Sequence, residues 1–144
     1  MLNTILANFY ERDIRKMIEE INLFKNEENI WKTFGSVKNS SGNLALHIIG
    51  GMNFLFGTTL AQTGYVRNRD EEFNVKGVER KVIITQLEEL IPLTKKIIHG
   101  LNMEADYPLI FDGAKRTNNY VITQLLLHLN YHLGQVNYLR RILE

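Results

Sequence analysis

The sequence has 144 residues, the length of one domain that buries most of its own surface, and we predict a single domain over residues 1–144. Its 17 lysines and arginines balance 16 aspartates and glutamates, and a formal net charge of +1 offers no basic surface for nucleic acid. The absence of cysteine excludes disulfide bonds, thiolate ligands and a cysteine nucleophile. The first residues lack the basic start and cleavage site of a signal peptide, so we expect a cytoplasmic protein.

The first predicted helix begins at Asn3 or Thr4, which would serve as its N-cap, and fades between Asn26 and Asn29. Apolar residues recur at three- and four-residue spacing along one face, and charged residues such as Glu11 line the opposite face. This pattern is typical of an amphipathic helix that packs one face on a core. The apolar face consists of Leu6, Tyr10, Ile14, Met17, Ile18, Ile21 and Phe24.

The second predicted helix starts at the Ser40-Ser41-Gly42 run, where a serine caps it, and continues to about Gln62. No Asp, Glu, Lys or Arg occurs from Asn39 to Val66, a stretch long enough to cross a bilayer. The stretch also contains His47, the pair Gly50-Gly51 and several other polar residues. We therefore interpret it as a helix buried in protein and expect no membrane partner.

This second helix is apolar around its whole circumference, whereas a helix packed against neighbours needs only one apolar face. Large unpartnered apolar faces normally mark partner surfaces, so the sequence predicts a homodimer through this helix. The alternative is that the connection Tyr65–Val75 or Asn102–Arg116 folds over the outer face within one chain. The apolar residues are Leu44, Leu46, Ile48, Ile49, Met52, Phe54, Leu55, Phe56 and Leu60.

The third predicted helix follows a polar loop over Tyr65–Val75 and starts between Gly77 and Glu79. Apolar residues recur from Ile83 to Leu101, and Pro92 lies inside this stretch, which predicts a kink or a local break in the hydrogen-bond ladder near Glu88.

An irregular connection over Asn102–Arg116 then contains Asp112-Gly113, a dipeptide typical of hairpin turns. Thr117 or one of the two asparagines after it caps the fourth helix, which runs to the C-terminus.

Two histidines, His128 and His132, lie four residues apart on the fourth helix and therefore share one face. The other members of that face are apolar, so both imidazoles are predicted to point toward the core. Burying a polar group without a partner costs about 1–3 kcal/mol, and a bound metal would remove that cost. The apolar members of the stripe are Val121, Leu125, Val136, Leu139 and Leu143.

A third histidine, His47, lies in the apolar second helix and is free to meet this pair in space. Three histidines with one open position form the catalytic type of zinc site. His99 precedes Gly100 at a helix end, where it is predicted to be a last-turn cation outside the site. The residues alone leave two alternatives open. The histidines are core residues bonded to other groups, or they hold a metal without catalysis.

Gln135 follows His132 by three residues on nearly the same face. One interpretation is a hydrogen bond to a histidine ring nitrogen or to a ligand on the metal. The other is a glutamine that simply faces a neighbouring helix.

The segment from His128 to Val136 resembles the last-helix motif of the DinB/YfiT-like proteins, His-x-x-x-His-x-Gly-Gln followed by an aliphatic residue. The run from Gly42 to His47 resembles the second-helix histidine of the same family, and order and spacing agree over essentially the whole chain. The resemblance implies an all-α, up-down-down-up four-helix bundle that binds a divalent metal through His47, His128 and His132.

The resemblance also implies chemistry with low-molecular-weight thiols such as bacillithiol or mycothiol. Independently of the resemblance, three neutral imidazole ligands add no negative charge to the metal. The ion would therefore lower the pKa of a bound water or thiol and make it a better nucleophile. We therefore predict a divalent-metal enzyme for a small substrate, either a thiol-dependent S-transferase or a hydrolase, with zinc or nickel preferred and iron allowed. The alternative is a non-catalytic metal-binding scaffold or sensor.

Overall fold

Five α-helices, four of them long, make up the computed structural model, which describes residues 1–144 and contains no β-strand. Helix α2 changes to π-helical hydrogen bonding over Asn53–Thr58 and returns to α-helical bonding for its last turn. A 3₁₀ turn, Glu27–Trp31, follows the first helix. The helices are α1 Leu2–Leu23, α2 Ser41–Ala61, α3 Arg69–Asn74, α4 Arg80–His99 and α5 Asn118–Leu143.

The helix starts follow local capping chemistry. The Ser40 hydroxyl accepts a hydrogen bond from the Asn43 amide at 3.1 Å and begins α2, as predicted. The Thr117 hydroxyl accepts from Tyr120 at 3.2 Å and begins α5, also as predicted. The predicted cap at Asn3 is wrong, because α1 begins at Leu2 and its N-cap makes no side-chain bond.

The side chain of Asn3 instead donates to the carbonyls of Ile98 and Leu101, at 2.6 and 2.9 Å. These are a carbonyl in the last turn of α4 and one two residues after its end. The same contact places the start of α1 beside the end of α4.

The polar segment Tyr65–Val75 is not a loop throughout, because it contains the short helix α3. The Asn68 side chain caps this helix by accepting from the Glu71 amide at 3.3 Å, and acidic residues occupy its first turn. Helix α4 continues through Pro92 as one helix, and because proline has no N–H, the helix lacks the hydrogen bond to the Glu88 carbonyl there.

The turn predicted at Asp112-Gly113 is confirmed. Both residues have positive φ, 51° and 72°, and an isolated bridge joins Phe111 to Ala114 on either side. Two positive φ values in succession define the hairpin turn that this dipeptide favours.

Contacts near the helix ends give the helix directions. The Arg80 guanidinium at the start of α4 donates to the Phe24 carbonyl just after α1, so these two helices run in opposite directions. In contrast, the Arg140 guanidinium near the end of α5 bonds Glu20 near the end of α1, so those two helices are parallel.

Helix α2 runs opposite to α5. Leu44, near its start, lines a cavity with Tyr138 near the end of α5, and Leu55 lines another with Gln124 near the start of α5. The four long helices share one hydrophobic core of 25 buried residues. The predicted apolar face of α1 forms part of that core, with Tyr10, Ile14, Met17 and Ile21 fully buried.

Part of the outer face of α2 is covered within the chain. Helix α3 packs against α2, and no large apolar side chain of α2 is exposed, although Leu46, Phe54, Leu55 and Leu60 are only partly buried. This contact agrees with the alternative stated for Tyr65–Val75. The homodimer through α2 stays a prediction.

Helix α2 is also the one helix long and apolar enough to cross a membrane, with a mean hydropathy of 1.4 over its most apolar window. Half of that window is buried inside the protein. A core helix meets the same criterion of length and composition, so this property is weak support for a membrane span.

Candidate metal centre

Three histidines from two helices meet at one point. His47 comes from α2, and His128 and His132 come from successive turns of α5. The Nε2 atom of His128 lies 3.1 Å from Nε2 of His47 and 3.1 Å from Nε2 of His132. Three nitrogens that bind one ion tetrahedrally at about 2.0–2.1 Å would lie about 3.3 Å apart. Two of the three spacings are close to that value, and all three ligand atoms lie within 4.8 Å of one another, so the group is able to hold a single metal ion.

Two of the rings are fixed by partners on their far side. The Nδ1 atom of His47 lies 3.0 Å from Glu72 Oε1, and Nδ1 of His132 lies 2.7 Å from Gln135 Oε1. Both oxygens accept hydrogen bonds, so each Nδ1 carries the proton and each Nε2 presents a lone pair. Arg67 also approaches Nδ1 of His47, but at 3.4 Å, so the closer carboxylate sets the tautomer.

The arrangement leaves unpaired acceptors facing one another. Once His47 and His132 both present lone pairs, the single Nε2–H of His128 is able to donate to only one of them. The remaining lone pair lies in a buried position without a donor, which is costly, whereas a cation at the centre would satisfy all three nitrogens. The group therefore fits a divalent metal better than it fits three mutually bonded core histidines.

The three rings differ in exposure. His47 and His132 are each 9% exposed, as the apolar stripe predicted. His128 is exposed, so its predicted position in the core is wrong. It lies at the wall of a cavity of about 260 Å³ between α2 and α5, which also includes His47. One edge of the three-histidine group is thus open to a small molecule.

Glu72 is the functional residue that the sequence did not indicate. Its carboxylate contacts His47 and also pairs in bidentate fashion with Arg67, with Nε–Oε2 and NH2–Oε1 distances of 2.9 Å each. Glu72 is only 6% exposed, and the ion pair with Arg67 offsets the cost of burying its charge.

A glycine makes room for this carboxylate. A Cβ atom at Gly50 of α2 would lie 1.9 Å from Glu72 Oε2, so no other residue fits while Glu72 keeps its place. The sequence signals were a glycine inside a buried helix and the capping pattern Asn68-x-x-Glu71. Neither signal identifies which side chain occupies the space beside Gly50, since that depends on how α3 packs against α2.

The remaining candidates take clear positions. Gln135 contacts His132, which is the first of the two interpretations given for it. His99 is the last residue of α4 and lies outside the three-histidine group. The Glu72 carboxylate contacts Nδ1 of His47 and does not face the point where the three Nε2 atoms meet.

Loss of water around the ring lowers the pKa of all three imidazoles, including that of His128, whose ring is partly desolvated although the residue is exposed. For His47 the desolvation outweighs the opposing effect of Glu72, and for His132 it outweighs that of Gln135. Burial and then the neighbouring charges, among them Arg67 and Arg69, lower the pKa of His128 to about 4. Neutral imidazoles are the form that binds metal, so the environment favours the binding state at neutral pH.

The lowered pKa values predict acid sensitivity of the metal-free protein. The unfolded chain binds these protons near pH 6.5 and the folded chain only at lower pH, so the free energy of unfolding should fall as the pH drops from about 7 to about 4. Urea unfolding of metal-free protein at several pH values measures this loss.

A His128→Gln variant serves as the control and should show a smaller loss over the same interval. Equal loss in the two proteins would contradict the assignment. Carboxylates such as Glu144, whose pKa is lowered to about 2 by backbone hydrogen bonds from Lys25 and Asn26, lose their contribution below about pH 5 in both proteins, so they cancel in the comparison.

The fold and the site together define an all-helical protein with a three-histidine group able to hold a metal ion. Residues 2–144 match the family described as "Protein of unknown function (DUF1572)", and the chain belongs to that family. No curated protein and no solved structure matches the chain.

Proposed function

We propose that the protein is a divalent-metal-dependent enzyme built as an up-down-down-up four-helix bundle of the DinB/YfiT type. The helix directions support this topology, because α1 runs parallel to α5 and opposite to α4, while α2 runs opposite to α5. The histidine positions on α2 and α5 also agree with the resemblance to that family.

The observation that carries the proposal is the convergence of three Nε2 atoms. In His47 and His132, a hydrogen bond at Nδ1 leaves Nε2 unprotonated and able to bind a metal. We assign zinc or nickel as the preferred ion, with iron allowed, because imidazole nitrogen suits all three. Such an ion, when bound, supplies Lewis acidity that favours the deprotonated form of a water or a thiol.

The residues of the chain provide the rest of the site. Glu72 and Gln135 hold two imidazoles in the tautomer that exposes Nε2, and this outer support is what keeps ligand geometry fixed in metal sites. The cavity of about 260 Å³ beside His47 and His128 admits a small substrate. Because the chain has no cysteine, any sulfur nucleophile would come from a low-molecular-weight thiol, and S-transfer to an electrophilic carbon is the proposed reaction.

Metal-dependent turnover is the test of this proposal. Protein loaded with zinc or nickel is incubated with pairs of a small thiol and an alkyl electrophile, and in parallel with simple esters and amides. We expect S-conjugate formation that stops when the metal is removed by a chelator and returns when it is restored. Protein that binds one metal ion per chain but converts none of the substrates would favour the alternative function, a metal-binding scaffold or sensor.

A further inference from the structure

The cavity beside the histidines has an uneven distribution of charge. Most of its wall is apolar and comes from α2 and α5, including Met52, Leu55 and Leu125. Two arginines line it at the same side, Arg67 just before α3 and Arg69 at its first residue. A small molecule in this cavity therefore meets an apolar surface, two guanidinium groups and the edge of the histidine group.

The two arginines are not equivalent. Arg67 is engaged through both Nε and NH2 with the buried carboxylate of Glu72. Arg69 is exposed and has no carboxylate within 4.0 Å. The charge of Arg67 is thus compensated inside the protein, and the charge of Arg69 is free to meet a ligand.

The position of Arg69 is supported by Phe73, one turn along α3. The guanidinium lies 5.3 Å from the centre of the Phe73 ring, and that ring in turn lies 4.8 Å from the ring of His47. A cation over an aromatic face is held by the ring without losing its hydrogen-bond donors. Arg69 is therefore held near the histidines with its donors still available.

One negative charge also lines the cavity. Asp112, at the tip of the hairpin turn, lines the cavity and has no basic group within 4.0 Å. It repels an anion in the cavity, whereas Arg69 attracts one. A carboxylate offers Arg69 one negative charge, and its two oxygens match the planar guanidinium.

We propose that the substrate of this site bears a carboxylate, which Arg69 binds, and an apolar body that lies against Met52, Leu55 and Leu125. This inference rests on the proposed function, since the reacting end of the molecule would face His47 and His128. Arg69 is thus a specificity-determining residue, and its planar guanidinium is suited to the two oxygens of a carboxylate.

Isothermal titration of zinc-loaded protein with mercaptopropionate and with mercaptopropanol tests the proposal, because the two thiols differ only in the carboxylate. We expect mercaptopropionate to bind about tenfold more tightly, the lower end for a charge-assisted hydrogen bond, because Arg69 is exposed. Arg69→Gln should remove this preference and leave the affinity for mercaptopropanol unchanged. Arg141→Gln is the matched control, because Arg141 also lies over an aromatic ring, Tyr138, but outside the cavity.

The possible outcomes distinguish failure of this inference from failure of the proposed function. Equal affinity for both thiols, or a preference that survives Arg69→Gln, overturns the inference while the proposed function stands. Displacement of mercaptopropionate by inorganic phosphate more strongly than by acetate overturns the assignment of a carboxylate. Failure of the protein to take up any of zinc, nickel and iron, measured before the titration, overturns the proposed function and the inference with it.

Discussion

Replacing His132 with glutamine should abolish metal binding at micromolar concentration. The substitution removes one of three converging Nε2 atoms and the partner of Gln135 at once. Loss of a partner behind a ligand already reduces metal affinity by about 10–100-fold, so loss of the ligand itself should cost at least about 100-fold. Elemental analysis of untagged protein, together with competition by a chromophoric chelator, measures the change.

The fourth histidine supplies the control for this experiment. His99 lies at the end of α4, outside the site, so His99→Gln should bind metal like the unaltered protein. A thermal readout adds an independent check. Metal at 100 times its dissociation constant stabilises a folded protein by about 2.7 kcal/mol, and that gain should vanish for His132→Gln and persist for His99→Gln. Equal metal content in the two variants would refute the three-histidine site.

Local patterns made much of the helical architecture predictable. The apolar periodicity of α1 identified most of the residues that are buried, and the hydroxyls of Ser40 and Thr117 marked two helix starts correctly. These features depend on residues within a few positions of one another, which is the range over which capping and periodicity act. The turn at Asp112-Gly113 was predictable for the same reason.

The errors involve contacts between distant parts of the chain. Asn3 has the chemistry of a helix cap, but it is engaged 95 residues away at Ile98. His128 lies on an apolar stripe, yet the space beside it is a cavity rather than a neighbouring helix. The predicted loop Tyr65–Val75 contains α3, a helix too short for periodicity to reveal, which packs against α2. Tertiary packing decided each case.

In the candidate site, too, the local relationships were predictable and the long-range ones were not. The spacing of His128 and His132 was visible because helical geometry relates residues four apart. The contact between His47 and Glu72 joins residues 25 apart through a helix that the sequence pattern did not show. Glu72 therefore could be found only once α3 was seen to lie against Gly50.

Substituting Gly50 by alanine should damage the site without touching a metal ligand. The new methyl group would lie 1.9 Å from Glu72 Oε2 and 2.6 Å from its Cδ, so the carboxylate must leave its position. That movement breaks the contacts of Glu72 with His47 and Arg67. Forcing a side chain out of a packed position lowers the free energy of unfolding by about 1–3 kcal/mol. Loss of the hydrogen bond between Glu72 and His47 should lower metal affinity by about 10–100-fold.

Gly134→Ala is the matched control, because Gly134 is also helical and a Cβ atom there would meet nothing within 4 Å. Alanine in a helix interior is preferred to glycine by about 0.5–1 kcal/mol, so this variant should be more stable than the parent and bind metal equally well. Urea unfolding and metal titration of the two variants measure both quantities. If Gly50→Ala were as stable as Gly134→Ala and kept full metal affinity, then Glu72 would not support His47, and the metal centre would depend on its three imidazoles and Gln135 alone.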